Sequence, residues 1–115
     1  MSKTVLFAFR DDPLCFVHVL LNALDLAERG GEAGVVLEGA AVKLAAEFER
    51  EGGLLQPLYA KARAKGLMWG ACRACSTKMG AVQAVQALGL PLLDDMSGHP
   101  SLGRYLDQGY AVITF

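Results

Sequence analysis

The chain lacks a long apolar run. The apolar stretch near its start, residues 5–9, is ended by Arg10, Asp11 and Asp12. A secretory signal needs a central apolar region of about 7–15 residues, and a membrane-spanning helix needs roughly 20. We therefore expect a cytoplasmic protein with neither a signal peptide nor a membrane partner.

The chain also lacks an excess of charge of either sign. The chain has 11 Lys plus Arg against 12 Asp plus Glu, a formal net charge of -1, and no run of like charges. Proteins that bind polyanions concentrate Lys and Arg on one face or in one segment. This balance therefore disfavours a nucleic-acid partner and an anionic membrane surface.

Three familiar catalytic or nucleotide-binding motifs are absent. The sequence contains no GxxxxGK[ST] loop, no GxGxxG after an apolar strand and no GxSxG, so no cofactor is predicted. Three cysteines are too few, and odd in number, for a disulfide framework. We expect reduced thiols.

The residues that are present predict a single α/β domain spanning residues 1–115. Of these residues, 53% are hydrophobic, which is enough for a well-developed core. Five short apolar runs are predicted as strands, and they cover residues 4–9, 34–37, 67–69, 90–93 and 110–115. Their near-continuous apolar character, with helical segments between them, is typical of a mainly parallel sheet covered on both faces. The expected fold is a three-layer α/β/α sandwich with a five-stranded sheet.

The first helix has the clearest boundaries. Asp12 can cap it, Pro13 suits its first position, and Gly30 follows its end. It carries one apolar stripe through Leu14 and Leu21 and a second through Phe16 and Leu20, and one sheet face cannot cover both. We therefore expect part of this helix to contact another subunit in a homo-oligomer. The alternative is that both stripes are buried within one subunit. Further helices are predicted over residues 40–51, 55–65, 72–88 and 100–107.

Polar and thiol side chains follow four of the predicted strands. Because parallel strands end at one edge of a sheet, the loops after them meet there, and ligands bind at that edge in open α/β folds. We call it the carboxyl edge. The residues predicted to lie near one another there are Asp11, Cys15, Glu38, Gly39, Cys72, Cys75, Ser97 and His99.

Cys72 and Cys75 are the predicted reactive residues. Cys72 follows a strand and opens a helix, where unpaired N–H groups and the helix dipole favour a thiolate. Cys75 lies three residues later and completes a CxxC pair, a moderately specific signal for thiol chemistry.

Structural roles are favoured over functional ones for Cys15, His18 and Glu38. Cys15 is predicted to pack in the core, His18 to be an interior or interface histidine, and Glu38 to serve a backbone N–H. A zinc site built from Cys72, Cys75 and His99 with Cys15 or His18 is a less favoured alternative, because a second spaced ligand pair is missing. No metal is assigned.

Four segments resemble the DsrE/DsrF-like sulfur-relay family: "KTVLFAF", "VVLEGAAVKL", "GLMWGAC" and "GYAVITF". The resemblance covers essentially the whole chain, and its most specific element is the cysteine after the third strand, which matches Cys72. The Glu38-Gly39 turn is a softer match. The resemblance implies a five-stranded α/β/α fold, a trimer or hexamer, and a persulfide on Cys72 that passes between sulfur donor and acceptor proteins.

Three functions are consistent with these residues. The leading hypothesis is a sulfur carrier or transferase that uses a Cys72 persulfide. The second is a thiol–disulfide redox module in which Cys72 and Cys75 cycle without carrying sulfur. The third is a non-enzymatic oligomeric subunit that binds a small molecule or a metal.

Overall fold

The computed structural model describes residues 2–115 and contains a five-stranded parallel sheet, as predicted. The strand order is β4-β3-β2-β1-β5. The fourth strand has two residues, against four predicted. The strands are β1 Lys3–Ala8, β2 Glu32–Leu37, β3 Met68–Cys72, β4 Leu92–Leu93 and β5 Ala111–Thr114.

The helices form the two outer layers of the predicted three-layer α/β/α sandwich. They are α1 Pro13–Glu28, a 3₁₀ helix Gly39–Glu47, α2 Gln56–Ala64, α3 Arg73–Lys78, α4 Val82–Ala87 and α5 Leu102–Asp107. From β1 to β4 the chain crosses the sheet in one direction, and right-handed crossovers then place the connecting helices on one face. The connection to β5 runs the opposite way, which accounts for α5 lying on the other face.

Two helix predictions are wrong in detail. The segment predicted as an α-helix over residues 40–51 is the 3₁₀ helix. The helix predicted over residues 72–88 is divided into α3 and α4. Gly80 lies between them with a φ of 69°, in the left-handed region where a helix ends and glycine is favoured.

Alternate residues of the strands fill two separate cores, because successive side chains point to opposite faces of a sheet. The larger core lies under α1, α2, α4 and the 3₁₀ helix and includes Leu6, Phe16, Val35, Phe48, Tyr59 and Val85. The smaller one lies under α5 and includes Val5, Phe7 and Val36, with Trp69, Tyr105 and Tyr110 packed around them.

Helix α1 begins as predicted, with the Asp12 carboxylate accepting a hydrogen bond from the Leu14 N–H at 2.9 Å. The stripe containing Phe16 and Leu20 is buried in the larger core, whereas Leu14 and Leu21 are 68% and 45% exposed. The first stripe is covered only in part, because its other members, Val17 and Leu24, pack against the larger core. His18 is exposed, so the prediction of an interior residue fails within this chain.

In residues 2–115, no helix has the length and apolar character needed to cross a membrane.

Gly34 provides the space for the indole of Trp69. A Cβ at Gly34 would overlap the Trp69 ring, which stacks on Tyr105 at 5.8 Å between centroids. We expect Gly34→Ala to lower the free energy of unfolding by about 1–3 kcal/mol, because the ring must move out of its packed position. Urea denaturation measures the loss, and the fluorescence of the chain's one tryptophan reports the displacement.

Gly103→Ala is the matched control for this substitution. A Cβ at Gly103, in α5, meets Ser101 Oγ at 3.7 Å, an ordinary contact. Alanine also favours a helix relative to glycine by up to about 1 kcal/mol. We expect this variant to be as stable as the wild type or more so. Equal stability of both variants would contradict the role given to Gly34.

Candidate functional site

Four of the predicted residues meet at the carboxyl edge, where β2, β3 and β4 end. Glu38, Cys72, Cys75 and His99 each contribute one ligand atom, and these four atoms lie within 4.8 Å of one another. We call this group the thiol cluster. Glu38 directly follows β2, Cys72 ends β3, Cys75 lies in α3, and His99 lies in the loop after β4.

Cys72 occupies the N-cap position of α3, as expected, and the Cys75 N–H donates to its Sγ at 3.3 Å. The expectation that the helix start holds this thiol as a thiolate is nevertheless wrong. Cys72 has no exposed surface, and this burial, aided by contacts with the Cys75 thiol and the Glu38 carboxylate, raises its pKa from 9.0 to about 12. The single N–H contact lowers the pKa by less than burial raises it.

Cys75 is the more accessible thiol of the pair. It is half-buried, and its Sγ donates to the Glu38 carboxylate at 3.6 Å. Glu38 precedes the 3₁₀ helix but makes no side-chain capping hydrogen bond, so the predicted backbone role is wrong. Its carboxylate, 11% exposed, lies instead among the thiols and the His99 ring.

A tight turn brings His99 onto the two thiols. Met96 and His99 exchange two backbone hydrogen bonds, at 2.7 and 2.9 Å. Ser97 and Gly98 between them have φ values of 51° and 88°, positive at both central positions as in a type I′ turn. The Ala74 N–H donates to the Gly98 carbonyl at 2.8 Å, and this hydrogen bond connects the turn to α3. His99 thereby closes over Cys72 while 40% of its side chain stays exposed.

One nitrogen of His99 faces all three other members of the thiol cluster. Its Nδ1 lies 3.1 Å from Cys72 Sγ, 3.9 Å from Cys75 Sγ and 3.7 Å from Glu38 Oε1. A catalytic Cys-His-carboxylate relay uses the two ring nitrogens on opposite sides, one for the nucleophile and one for the carboxylate. The thiol cluster is therefore not arranged as such a relay.

The other predicted residues remain outside the thiol cluster. Asp11 is exposed and pairs with Lys43 at 3.1 Å. Cys15 is half-buried in α1 with its thiol free, and Gly39 follows Glu38 as the first residue of the 3₁₀ helix. Ser97 contributes to the turn through its backbone, and its side chain is exposed. The fourth group beside Cys72, Cys75 and His99 is thus Glu38, and neither Cys15 nor His18 takes that place.

The fold and the thiol cluster together define a small parallel α/β protein with a paired-cysteine site at the carboxyl edge of its sheet. The site offers two thiols, one imidazole nitrogen and one carboxylate, with one thiol accessible and the other sealed. Such a set can exchange sulfur, cycle between thiol and disulfide, or bind a metal ion.

The chain belongs to the same family as the uncharacterized protein MJ0733 of Methanocaldococcus jannaschii. The two are 34% identical over 97 residues, which cover 84% of this chain and 77% of that protein. An uncharacterized protein of Archaeoglobus fulgidus is 35% identical over 58 residues, 50% of this chain and 93% of its own length. No family model matches the chain, and no solved structure does either.

Proposed function

We propose that this protein is a cytoplasmic sulfur carrier that holds sulfane sulfur as a persulfide on its cysteine pair. The observation that carries the proposal is the arrangement of Cys72 and Cys75: a half-buried thiol lies within 4.8 Å of a fully buried one, at the edge of a parallel sheet where ligands bind. The resemblance to the DsrE/DsrF-like family, carried by the cysteine after the third strand, supports the same chemistry.

Sulfur enters at Cys75, because Cys72 has no exposed surface. The Glu38 carboxylate accepts the Cys75 proton, and the thiolate attacks the outer sulfur of a donor persulfide. The donor's S–S bond breaks, the donor leaves as a thiol, and Cys75 gains one sulfur atom as Cys75–S–SH. No oxidant or reductant is consumed, because sulfane sulfur exchanges for a thiol.

Cys72 then receives the sulfur. Its sulfur attacks the outer sulfur of Cys75–S–SH, and the S–S bond to Cys75 breaks. His99 Nδ1, 3.1 Å from Cys72 Sγ and 3.9 Å from Cys75 Sγ, accepts the Cys72 proton and returns it to the leaving Cys75 sulfur. The products are Cys72–S–SH and a Cys75 thiol. A persulfide at this position is shielded from solvent thiols, which suits a carrier. Delivery to an acceptor thiol reverses the two steps. This route places the stored persulfide on Cys72, as the family resemblance implies.

Peptide-resolved mass spectrometry after incubation with a small persulfide donor tests the proposal. We expect the wild type to gain one sulfur atom on the peptide that contains both cysteines. Cys75→Ser should load at least about tenfold more slowly, because the sealed thiol must then react directly with the donor. Cys15→Ser, which removes the remaining free cysteine, is the matched control and should load like the wild type.

Other outcomes of that experiment count against the proposal in different ways. Equal loading of Cys75→Ser would contradict entry through Cys75. No sulfur gain on either cysteine would contradict the carrier function altogether. A loss of two hydrogens shared by Cys72 and Cys75, without sulfur gain, would favour the thiol–disulfide redox module instead.

We also propose that the protein acts as a homo-oligomer, a trimer or hexamer by the family resemblance. The support from this chain is two apolar residues on one face of α1 that remain exposed, Leu14 at 68% and Leu21 at 45%.

A further inference from the structure

We infer that the thiol cluster is also a binding site for one thiophilic divalent metal ion, with zinc as the reference ion and Cys72, Cys75, His99 and Glu38 as its four ligands. This inference goes beyond sulfur transfer and does not depend on it. It rests on how the four ligand atoms are arranged and on the charge of the Glu38 side chain.

Hydrogen bonds account for part of the way the ligand atoms converge, since Cys75 Sγ donates to Glu38 at 3.6 Å and Cys72 Sγ to the Gly98 carbonyl at 3.7 Å. They do not account for three groups around one imidazole nitrogen. An imidazole nitrogen carries either one N–H or one lone pair, so it can be paired with one partner at a time. Here two sulfur atoms and one carboxylate oxygen lie 3.1–3.9 Å from the same His99 Nδ1. A cation at the centre of the group would use the lone pairs of all four atoms together.

Four of the six distances between ligand atoms fit tetrahedral coordination, and the other two lie within 4.8 Å. With Zn–S near 2.3 Å and Zn–N and Zn–O near 2.0–2.2 Å, a tetrahedron has S–N and S–O edges of about 3.5 Å and an N–O edge of about 3.3 Å. The observed S–N distances are 3.1 and 3.9 Å, the Cys75–Glu38 S–O distance is 3.6 Å, and the N–O distance is 3.7 Å. Each lies within about 0.4 Å of the corresponding tetrahedral edge.

Glu38 supplies an independent observation. It is a buried acidic residue, and across residues 2–115 it forms no ion pair with a Lys or Arg side chain. Burying a carboxylate is costly unless a cation or a metal ion compensates its charge. The basic side chain within 4 Å of this carboxylate, among residues 2–115, is the His99 ring at 3.7 Å. A metal ion between Glu38 and His99 would compensate the carboxylate charge and use the imidazole lone pair.

The ligand set selects the class of metal. Two cysteine sulfurs and one imidazole nitrogen favour zinc and the softer ion cadmium, whereas magnesium and calcium prefer oxygen ligands throughout. The CxxC spacing supports this, because the N–H of Cys75 donates to Cys72 Sγ at 3.3 Å and stabilises negative charge on that sulfur. The Sγ atoms of both cysteines and the Glu38 oxygen lie within the same 4.8 Å limit.

Metal binding and sulfur uptake exclude each other on one molecule. Both use the Cys75 sulfur, and a sulfur atom bonded to zinc is not free to attack a donor persulfide. The metal-bound and persulfide-loaded forms are therefore alternative states of the thiol cluster.

Cobalt(II) titration of the reduced, chelator-treated protein tests the inference. We expect one equivalent to bind, with a thiolate-to-cobalt charge-transfer band in the near ultraviolet and the intense visible bands of tetrahedral cobalt, and zinc should displace it. Glu38→Gln and His99→Ala should weaken zinc binding at least about tenfold, because each removes one ligand. Cys15→Ser and Glu51→Gln, which change a cysteine and a glutamate outside the cluster, should bind like the wild type.

Three results would overturn the inference. They are the absence of a charge-transfer band at one equivalent, weak visible bands typical of six-coordinate cobalt, or unchanged zinc affinity in both Glu38→Gln and His99→Ala. Circular dichroism of each variant separates lost ligands from lost folding. The readout involves no persulfide, so failure here leaves the sulfur-carrier proposal standing, and failure of sulfur loading in metal-free protein leaves the metal site standing.

Discussion

In the folded, metal-free protein, alkylation of Cys72 by iodoacetamide at pH 7 is expected to be about 1,000-fold slower than in the urea-unfolded chain. Burial raises the Cys72 pKa from 9.0 to about 12, which lowers the thiolate fraction at pH 7 by that factor. Since the thiolate is the reacting form, the rate falls with it. The closed position of the side chain slows the reaction further.

The pH dependence of the alkylation rate shows separately that the Cys72 pKa is raised. Below the pKa of a thiol, its alkylation rate rises about tenfold for each pH unit. In the folded protein the rate at Cys72 should still be rising at about pH 10.5, whereas in urea it should level off near the ordinary thiol pKa of about 8.5–9. Mass spectrometry of the separated cysteine peptides measures each rate.

Two observations would contradict this prediction. One is a folded-state profile at Cys72 that levels off near pH 9, which would mean that the helix start, and not burial, governs the thiol. The other is a Cys72 rate at pH 7 equal to that of Cys75, which is half-buried. Either result would restore the thiolate at the helix start that the sequence alone predicts.

Phe48→Ala is expected to lower the free energy of unfolding by about 3–5 kcal/mol. Phe48 follows the 3₁₀ helix, has no exposed surface, and stacks between Phe16 and Tyr59 with centroid distances of 5.2 and 4.6 Å. Its removal leaves a cavity at the point where α1, the 3₁₀ helix and α2 meet, and it also ends two aromatic contacts.

Urea denaturation followed by circular dichroism measures the loss. Leu54→Ala is the matched control, because Leu54 lies nearby in the chain but is 56% exposed and should change stability by no more than about 0.5 kcal/mol. A loss below about 1 kcal/mol in Phe48→Ala would show that the three aromatic rings do not support this layer as described.

Much of the fold follows from local sequence pattern. The near-continuous apolar strands and the intervening helical segments predict a parallel α/β sheet, and the structure has one. The start of α1 follows from Asp12 and Pro13. The break between α3 and α4 was missed because residues 82–88 continue an apolar helical period, although Gly80 was a visible signal for it.

The candidate site was predictable in outline only. The parallel topology places Glu38, Cys72 and His99 at or after the ends of the neighbouring strands β2, β3 and β4, so their proximity follows from the rule that such strands end at one edge. Asp11 follows β1 at the same edge, but its carboxylate forms an ion pair with Lys43 and does not join the thiol cluster. Which loop side chains turn inward depends on the turn geometry of each loop, and short polar segments do not reveal it.

The sequence by itself determined the order of strands and helices, the parallel sheet and the edge at which the thiols lie, because these depend on periodicity and on residues close together in the chain. The tertiary structure decided that Cys72 is sealed, that the Glu38 carboxylate faces the thiols, and that one nitrogen of His99 faces them all. Those features join segments 24–37 residues apart. Burial and charge compensation depend on how such distant segments pack.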